Sequence, residues 1–128
     1  MSSPPCPCGS ALAYRECCGP FVRGEAVAPT AEALMRSRYT AYVRRDEAYL
    51  LRTWHPSTRP AALGLDDTAW LGLEVIGREA GGEGDDAGVV TFVASYEGAR
   101  GSVANMRETS RFVRDGGEWL YVEGDVPA

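Results

Sequence analysis

Four cysteines carry the clearest chemistry in the sequence: Cys6, Cys8, Cys17 and Cys18, in the order C-x-C-x8-C-C. Two thiols one residue apart, a spacer, and then two adjacent thiols form a pattern that a loop and a short helix can close into a tetrahedron around one ion. The set suits Zn²⁺ held by four thiolates, a closed structural site without the open position that catalysis needs. Two other readings of the same sulfurs stay open, namely cross-paired disulfides such as Cys6 to Cys17, and free thiols. A bridge within Cys6-x-Cys8 or between Cys17 and Cys18 would be strained, because a disulfide holds its two Cα atoms several ångströms apart at a fixed torsion. No apolar run follows Met1 to mark a secretory leader, so the expected compartment is the cytoplasm, where thiols are kept reduced. Arg15 and Arg23 are the cations expected to offset the negative charge of a tetrathiolate centre.

A second group of reactive residues comes from strand parity. Alternation over the run around residue 108 puts Met106, Glu108, Ser110 and Phe112 on one face, and Arg107, Thr109 and Arg111 on the other. The first face has apolar ends and should look inward, taking Glu108 with it. A carboxylate there costs on the order of several kcal/mol unless something pairs with it. Arg36, Arg38 and His55, all on helical segments, are the candidate partners. Either these groups line a polar pocket in which Glu108 and His55 are the catalytic candidates, or Glu108 anchors a helix through a structural ion pair. His55, the sole histidine, follows a helix end in Trp54-His55-Pro56. It reads as a C-terminal capping cation or as a general acid or base opposite Glu108. Arg38, Arg45 and Arg52 repeat every seven residues, a spacing that fits a solvated helix face better than a phosphate track. The acidic run Gly81-Gly82-Glu83-Gly84-Asp85-Asp86 lacks ordered ligand spacing and reads as a solvated loop.

The elements that must position these groups follow from capping and periodicity. Met1 to Pro5 reads as a frayed leader. Ser10 is a candidate cap for a short helix over Ala11 to Glu16, and Gly19-Pro20 reads as its stop signal. Thr30 caps a helix running to about Arg45, with Met35, Tyr39, Tyr42 and Val43 on one buried stripe. Asp46 caps a second, whose Glu47, Leu50, Leu51 and Trp54 share that spacing and which Pro56 ends. From Trp70 the period becomes strand-like, over 70–79, 88–97, 103–114 and 118–124, with Asp115-Gly116-Gly117 as a hairpin turn. Helices first and a meander of antiparallel strands afterwards make an α+β domain with the helices packed into a curved sheet.

Composition bounds the function. The 128 residues suffice for one core of ordinary size, and no segment approaches the length of a membrane span. A net charge of −5 argues against a broad nucleic-acid surface. All 13 basic residues are arginine, which reads as compositional bias.

Cys6-Pro7-Cys8-Gly9-Ser10, Tyr14 and Cys17-Cys18-Gly19 resemble the SEC-C zinc motif, named for its place at the C-terminus of the SecA translocation ATPase. The runs Thr30-Ala31-Glu32-Ala33-Leu34-Met35-Arg36-Ser37-Arg38-Tyr39-Thr40-Ala41-Tyr42, Thr53-Trp54-His55-Pro56-Ser57-Thr58-Arg59 and Glu108-Thr109-Ser110-Arg111-Phe112 resemble the bacterial YchJ family across essentially the whole chain. The resemblance implies a SEC-C-like zinc knuckle over 1–22 on a nuclear-transport-factor-2-like (cystatin-like) cone over 30–128. Its Zn²⁺ ligands would be Cys6, Cys8, Cys17 and Cys18, and its pocket or signature residues Arg36, Ser37, Arg38, Tyr39, Trp54, His55, Pro56, Glu108 and Ser110. Two positions depart from the pattern. SEC-C motifs usually have glycine where Ala11 stands, and YchJ-like sequences often have histidine where Arg107 stands, which puts a His/Glu pair at that position in doubt. No particular reaction is implied. The function expected is an interaction or ligand-binding module whose knuckle docks a protein or ribosomal partner, with a small-molecule ligand in the cone. An enzyme using Glu108 and His55 is the alternative, nucleic-acid binding by knuckle and arginines is opposed by the charge, and the open sheet face offers a route to a homodimer.

Overall fold

In the computed structural model, which describes residues 5–65 and 68–125, the knuckle opens as a tight loop. Pro5 bridges to Ala13, and Cys6 N donates to Leu12 O at 2.8 Å. The leader expected over Met1 to Pro5 lies, Pro5 apart, outside the described residues. Gly9 and Ala11 both turn with positive φ, 81° and 70°. Ser10 Oγ accepts from Leu12 N at 3.2 Å, so the serine braces this loop and caps no helix. Left-handed backbone at Ala11 cannot continue into a right-handed helix. The helix expected over Ala11 to Glu16 is therefore cut to a single 3-10 turn, Tyr14–Glu16. Gly19-Pro20 does not stop a helix; it begins the one-turn α1 (Gly19–Val22), where a proline in the first turn loses no hydrogen bond.

Helix α2 (Ala31–Arg44) starts where Thr30 Oγ1 accepts from Ala33 N at 3.1 Å and ends where Arg45 turns left-handed. Helix α3 (Glu47–Arg52) starts where Asp46 Oδ1 accepts from Tyr49 N at 3.1 Å. It stops short of Pro56, because Trp54 bridges in parallel to Tyr121 and His55 N donates to Tyr121 O at 2.7 Å. Trp54 thus leaves the helical stripe predicted for it. No helix among the described residues is long and apolar enough to cross a membrane.

Strands β1 (Trp70–Ala80), β2 (Ala87–Glu97), β3 (Val103–Asp115) and β4 (Glu118–Asp125) form one antiparallel sheet in sequence order. The β3–β4 hairpin closes on Gly116 and Gly117, both at positive φ, as its two-residue turn requires. Register shifts in β1, and in β4 at Val122 opposite Arg111 and Phe112 of β3, bend the sheet into a concave wall. Leu34, Met35 and Tyr39 of α2 pack against Val90, Phe92, Ala94, Phe112 and Trp119 within that wall.

Helix α2 is enclosed on three sides. Besides the sheet, its Ala41 packs with Tyr49 and Leu50 of α3, and its Thr40 Oγ1 lies 3.6 Å from Cys6 Sγ of the knuckle. Ser37, Arg38 and Thr40 are buried with the apolar residues for that reason. The result is an α+β cone, with knuckle and α3 attached to the helix that fills it.

Candidate metal centre and ligand cavity

The Sγ atoms of Cys6, Cys8, Cys17 and Cys18 lie within 4.8 Å of one another, and all four cysteines are free. Cys8 and Cys17 are 3.6 Å apart and Cys17 and Cys18 3.9 Å. Neither separation is a disulfide. With four Zn–S bonds of about 2.3 Å, the sulfur–sulfur edge of a tetrahedron is about 3.8 Å, so the cluster has the size such an ion requires. Cys6, Cys8 and Cys18 are buried among Tyr14, Val22 and Leu73. Ser10 Oγ lies 3.0 Å from Cys17 Sγ. A hydrogen bond from Cys18 pulls the Cys8 thiol down to about 4 against its burial. The same contact, with burial, pushes Cys18 up, and burial pushes Cys17 up. The four cysteines could hold one metal ion with no ligand from solvent.

The cation serving this centre is Arg36. Its Nη1 donates to Cys8 O at 2.7 Å, and its Nε to Glu32 Oε2 at 2.9 Å. Glu32 also receives Arg78. Arg15 and Arg23, expected in this role, are exposed, and Arg23 pairs instead with Glu25 at 2.8 Å. Proximity in sequence misled here, because α2 brings Arg36 back over the loop.

Inside the cone is a cavity of about 270 Å³. Its walls include Tyr39, Tyr42, Trp70, Phe92, Phe112 and Tyr121, with Arg38, Glu108 and Ser110 as polar groups. Arg38 is only 5% exposed. Its Nη1 donates to Leu50 O at 2.8 Å and Thr53 Oγ1 at 2.7 Å, which ties α2 to α3. Its guanidinium carbon lies 4.6 Å from the Tyr121 ring centre and 5.2 Å from that of Trp54. Burial lowers its pKa, opposed by Tyr42, Tyr121, Tyr49 and Glu108, yet a guanidinium stays protonated. Burial, with Glu108 next in effect, pushes Tyr121 up to about 12, so it is a neutral phenol. Glu108 accepts from Ser110 Oγ at 2.5 Å.

Parity thus puts Glu108 and Ser110 inside, and Arg38 and Tyr39 join them. The other signature residues, Arg36, Ser37, Trp54, His55 and Pro56, do not line the cavity. Arg36 faces the knuckle. Trp54 stacks behind Arg38, its ring 4.8 Å from that of Tyr121. His55 turns away: its Nδ1 is 2.7 Å from Ser57 Oγ and its Nε2 3.5 Å from Asp115 Oδ2. No ion pair reaches Glu108 among the described residues, so neither the His55–Glu108 pair nor the structural ion pair forms. The His55 ring also does not cap α3; its Nδ1 accepts from Ser57 N at 3.1 Å in the following turn. Arg38 is not on a solvated face with Arg45 and Arg52, since α3 and the sheet enclose it. Sequence reasoning missed Trp70, Phe92 and Tyr121, although the alternation Val90, Phe92, Ala94 could have revealed Phe92.

The family described as "YchJ, middle NTF2-like domain" matches residues 30–124, and the SEC-C motif matches residues 5–20. The chain is 52% identical over 126 residues to a UPF0225 protein of Streptomyces coelicolor, covering 98% of each. It is 54% identical over 126 residues to a UPF0225 protein of Chromobacterium violaceum, covering 94% of this chain and 92% of that one. The solution structure of a SEC-C motif containing protein from Rhodopseudomonas palustris is similar, with a TM-score of 0.82 at 32% identity, over 98% of this chain and 100% of that one. A crystal structure of a SEC-C motif containing protein from Psychrobacter arcticus is similar with a TM-score of 0.80 at 26% identity, over 97% of this chain and 83% of that one.

Proposed function

The chain belongs to the YchJ family, and from that premise we propose that it is a zinc-stapled binding module: the knuckle docks a protein partner, ribosomal proteins included, and the cone holds a small molecule. The observation that carries this reading is the spacing of the four sulfurs, which matches a tetrathiolate site with every position taken by the chain. An ion so enclosed stabilises shape and does no catalysis. The knuckle is joined to the cone through Arg36, Thr40 and Leu73, so the metal fixes the docking surface relative to the cavity. Leu12, 52% exposed on the rim of the metal loop, offers an apolar contact for the partner. Free thiols at the centre accord with a reducing compartment, the cytoplasm.

Elemental analysis and X-ray absorption of gently purified protein test the metal half. One zinc per chain with four sulfur neighbours at about 2.3 Å is expected; oxygen or nitrogen ligands, or an absence of stoichiometric zinc, overturn it. Co-sedimentation with bacterial ribosomes tests docking on that surface. Leu12→Asp should weaken it while keeping the metal, and equal sedimentation of both proteins contradicts the assignment. A binding role is favoured over catalysis because Glu108 has no histidine opposite it in the cavity.

A further inference from the structure

The cone cavity contains two opposite charges that do not satisfy each other. Arg38 has five N–H donors, and its two hydrogen bonds to the described residues both use Nη1. The Nε–H and the Nη2 hydrogens have no protein partner among the described residues, although the side chain is 5% exposed. No fully buried side-chain nitrogen or oxygen among those residues lacks a partner, so these donors keep solvent access, and Arg38 is one of the residues that line the cavity. Glu108 spends Oε2 on Ser110 and leaves Oε1 without a described partner. Arg38 and Glu108 form no ion pair. Around them the wall is almost wholly aromatic and aliphatic, including Tyr42, Trp70, Phe92 and Tyr121.

On the reading that the cone is a ligand site, we infer that its ligand is a compact aromatic molecule of zero net charge whose polar end presents an acceptor to Arg38 and a donor to Glu108, the pattern of an aromatic carboxamide or lactam. The size follows from the volume, about 270 Å³, which is below the roughly 300–1,000 Å³ of pockets for drug-sized ligands and suits a single ring with a short head. The ring follows from the walls, where flat π-faces stack edge to face. The zero charge follows from the opposed pair. An anion at Arg38 would sit beside the Glu108 carboxylate, and a cation at Glu108 would sit beside the guanidinium. An amide carbonyl accepts the guanidinium N–H groups, while its own N–H donates to Glu108, so each polar group left open is satisfied without adding charge.

Four one-ring probes of nearly equal size test the assignment: phenylacetamide, phenylacetate, phenethylamine and ethylbenzene, titrated into zinc-loaded full-length protein and followed by ¹H–¹⁵N spectra. Phenylacetamide should bind about tenfold or more tightly than either charged probe, with shifts at Tyr42, Trp70 and Phe92, because a site built for one hydrogen-bond pattern rejects analogues lacking it. In Glu108→Met the order should reverse, phenylacetate overtaking the amide as Arg38 becomes unopposed, with ethylbenzene unchanged. The comparison within the wild-type protein stands even if the variant fails to fold. Tighter binding of phenylacetate or phenethylamine by the wild-type protein overturns the head-group assignment while the cavity remains a ligand site. Absence of saturable binding by all four overturns both.

Discussion

Gly124 on β4 lies so close to the Glu108 carboxylate of β3 that a side chain added there would displace it: a Cβ on Gly124 would stand 2.8 Å from Glu108 Cδ. Gly124 pairs with Ser110, the residue whose hydroxyl donates to Glu108. The glycine therefore forms the floor on which the cavity's carboxylate rests. Gly124→Ala should push Glu108 off Ser110 and into the cavity, at a cost of about 1–3 kcal/mol. A crystal structure of the variant, with a denaturant melt, checks both effects. An unmoved Glu108 would show that the floor has room to spare.

The parts of this geometry that short-range rules govern were legible in the sequence. Thr30 and Asp46 cap their helices because a cap is decided within three residues, and Gly116-Gly117 closes its hairpin because only glycine accepts two successive left-handed conformations freely. Glu108 and Ser110 could be placed inside because parity needs only the strand itself. The failures in the cone are long-range, whereas in the knuckle the helix expected over Ala11 to Glu16 fails locally, at left-handed Ala11. Arg38 looks solvated from its seven-residue spacing with Arg45 and Arg52, and only the enclosure of α2 by sheet, knuckle and α3 buries it. His55 looks like a partner for Glu108 until the bridge between Trp54 and Tyr121 turns it outward. The cavity was half visible: Tyr39 and Glu108 came from periodicity, whereas Trp70 and Tyr121 meet them only through sheet curvature.

Acid should loosen the knuckle's attachment before it unfolds the sheet. Burial tends to raise the Glu32 carboxyl, but Arg36 and Arg78 outweigh it and hold the group below its ordinary range. A carboxyl whose folded pKa is depressed contributes stability that is fully present above the unfolded value and is lost as pH falls through the folded one. The melting temperature should therefore be level from neutral pH down to the ordinary carboxylate range and decline below it. Glu32→Gln, costing up to about 1 kcal/mol at neutral pH, should flatten part of that decline. Parallel wild-type and variant profiles would rule out Glu32 as the group responsible.

If the four cysteines hold zinc as proposed, removing it should release the knuckle and leave the cone folded. The knuckle's buried cluster consists of Cys6, Cys8 and Cys18 with a few flanking side chains, too little apolar surface to hold its shape without the ion. The cone has its own core in Leu34, Met35, Val90, Phe92, Phe112 and Trp119. With a strong chelator, or in Cys8→Ser, hydrogen exchange should rise sharply over residues 5–22 while β2 and β3 keep their protection, and the knuckle should lose on the order of several kcal/mol of local stability. Uniform loss of protection would mean that ion and sheet form one cooperative unit.

Ala11 occupies a position where the SEC-C pattern usually has glycine, and its backbone gives the reason: φ is 70°. A Cβ in the left-handed region crowds the following carbonyl at a cost of roughly 1–2 kcal/mol. Glycine removes that strain but returns some freedom to the unfolded chain. Ala11→Gly should accordingly stabilise the knuckle by about 1 kcal/mol net. Because the loop shapes the site that the sulfurs share, zinc affinity should rise about fivefold by competition with a chelating dye, the equivalent of that energy. Arg45, left-handed at φ 57° after α2, is the internal control. Arg45→Gly should raise the melting temperature by a similar amount and leave zinc affinity unchanged, since that turn touches no ligand. Equal zinc affinities for Ala11→Gly and the wild-type protein would show that the strain at residue 11 is not transmitted to the metal.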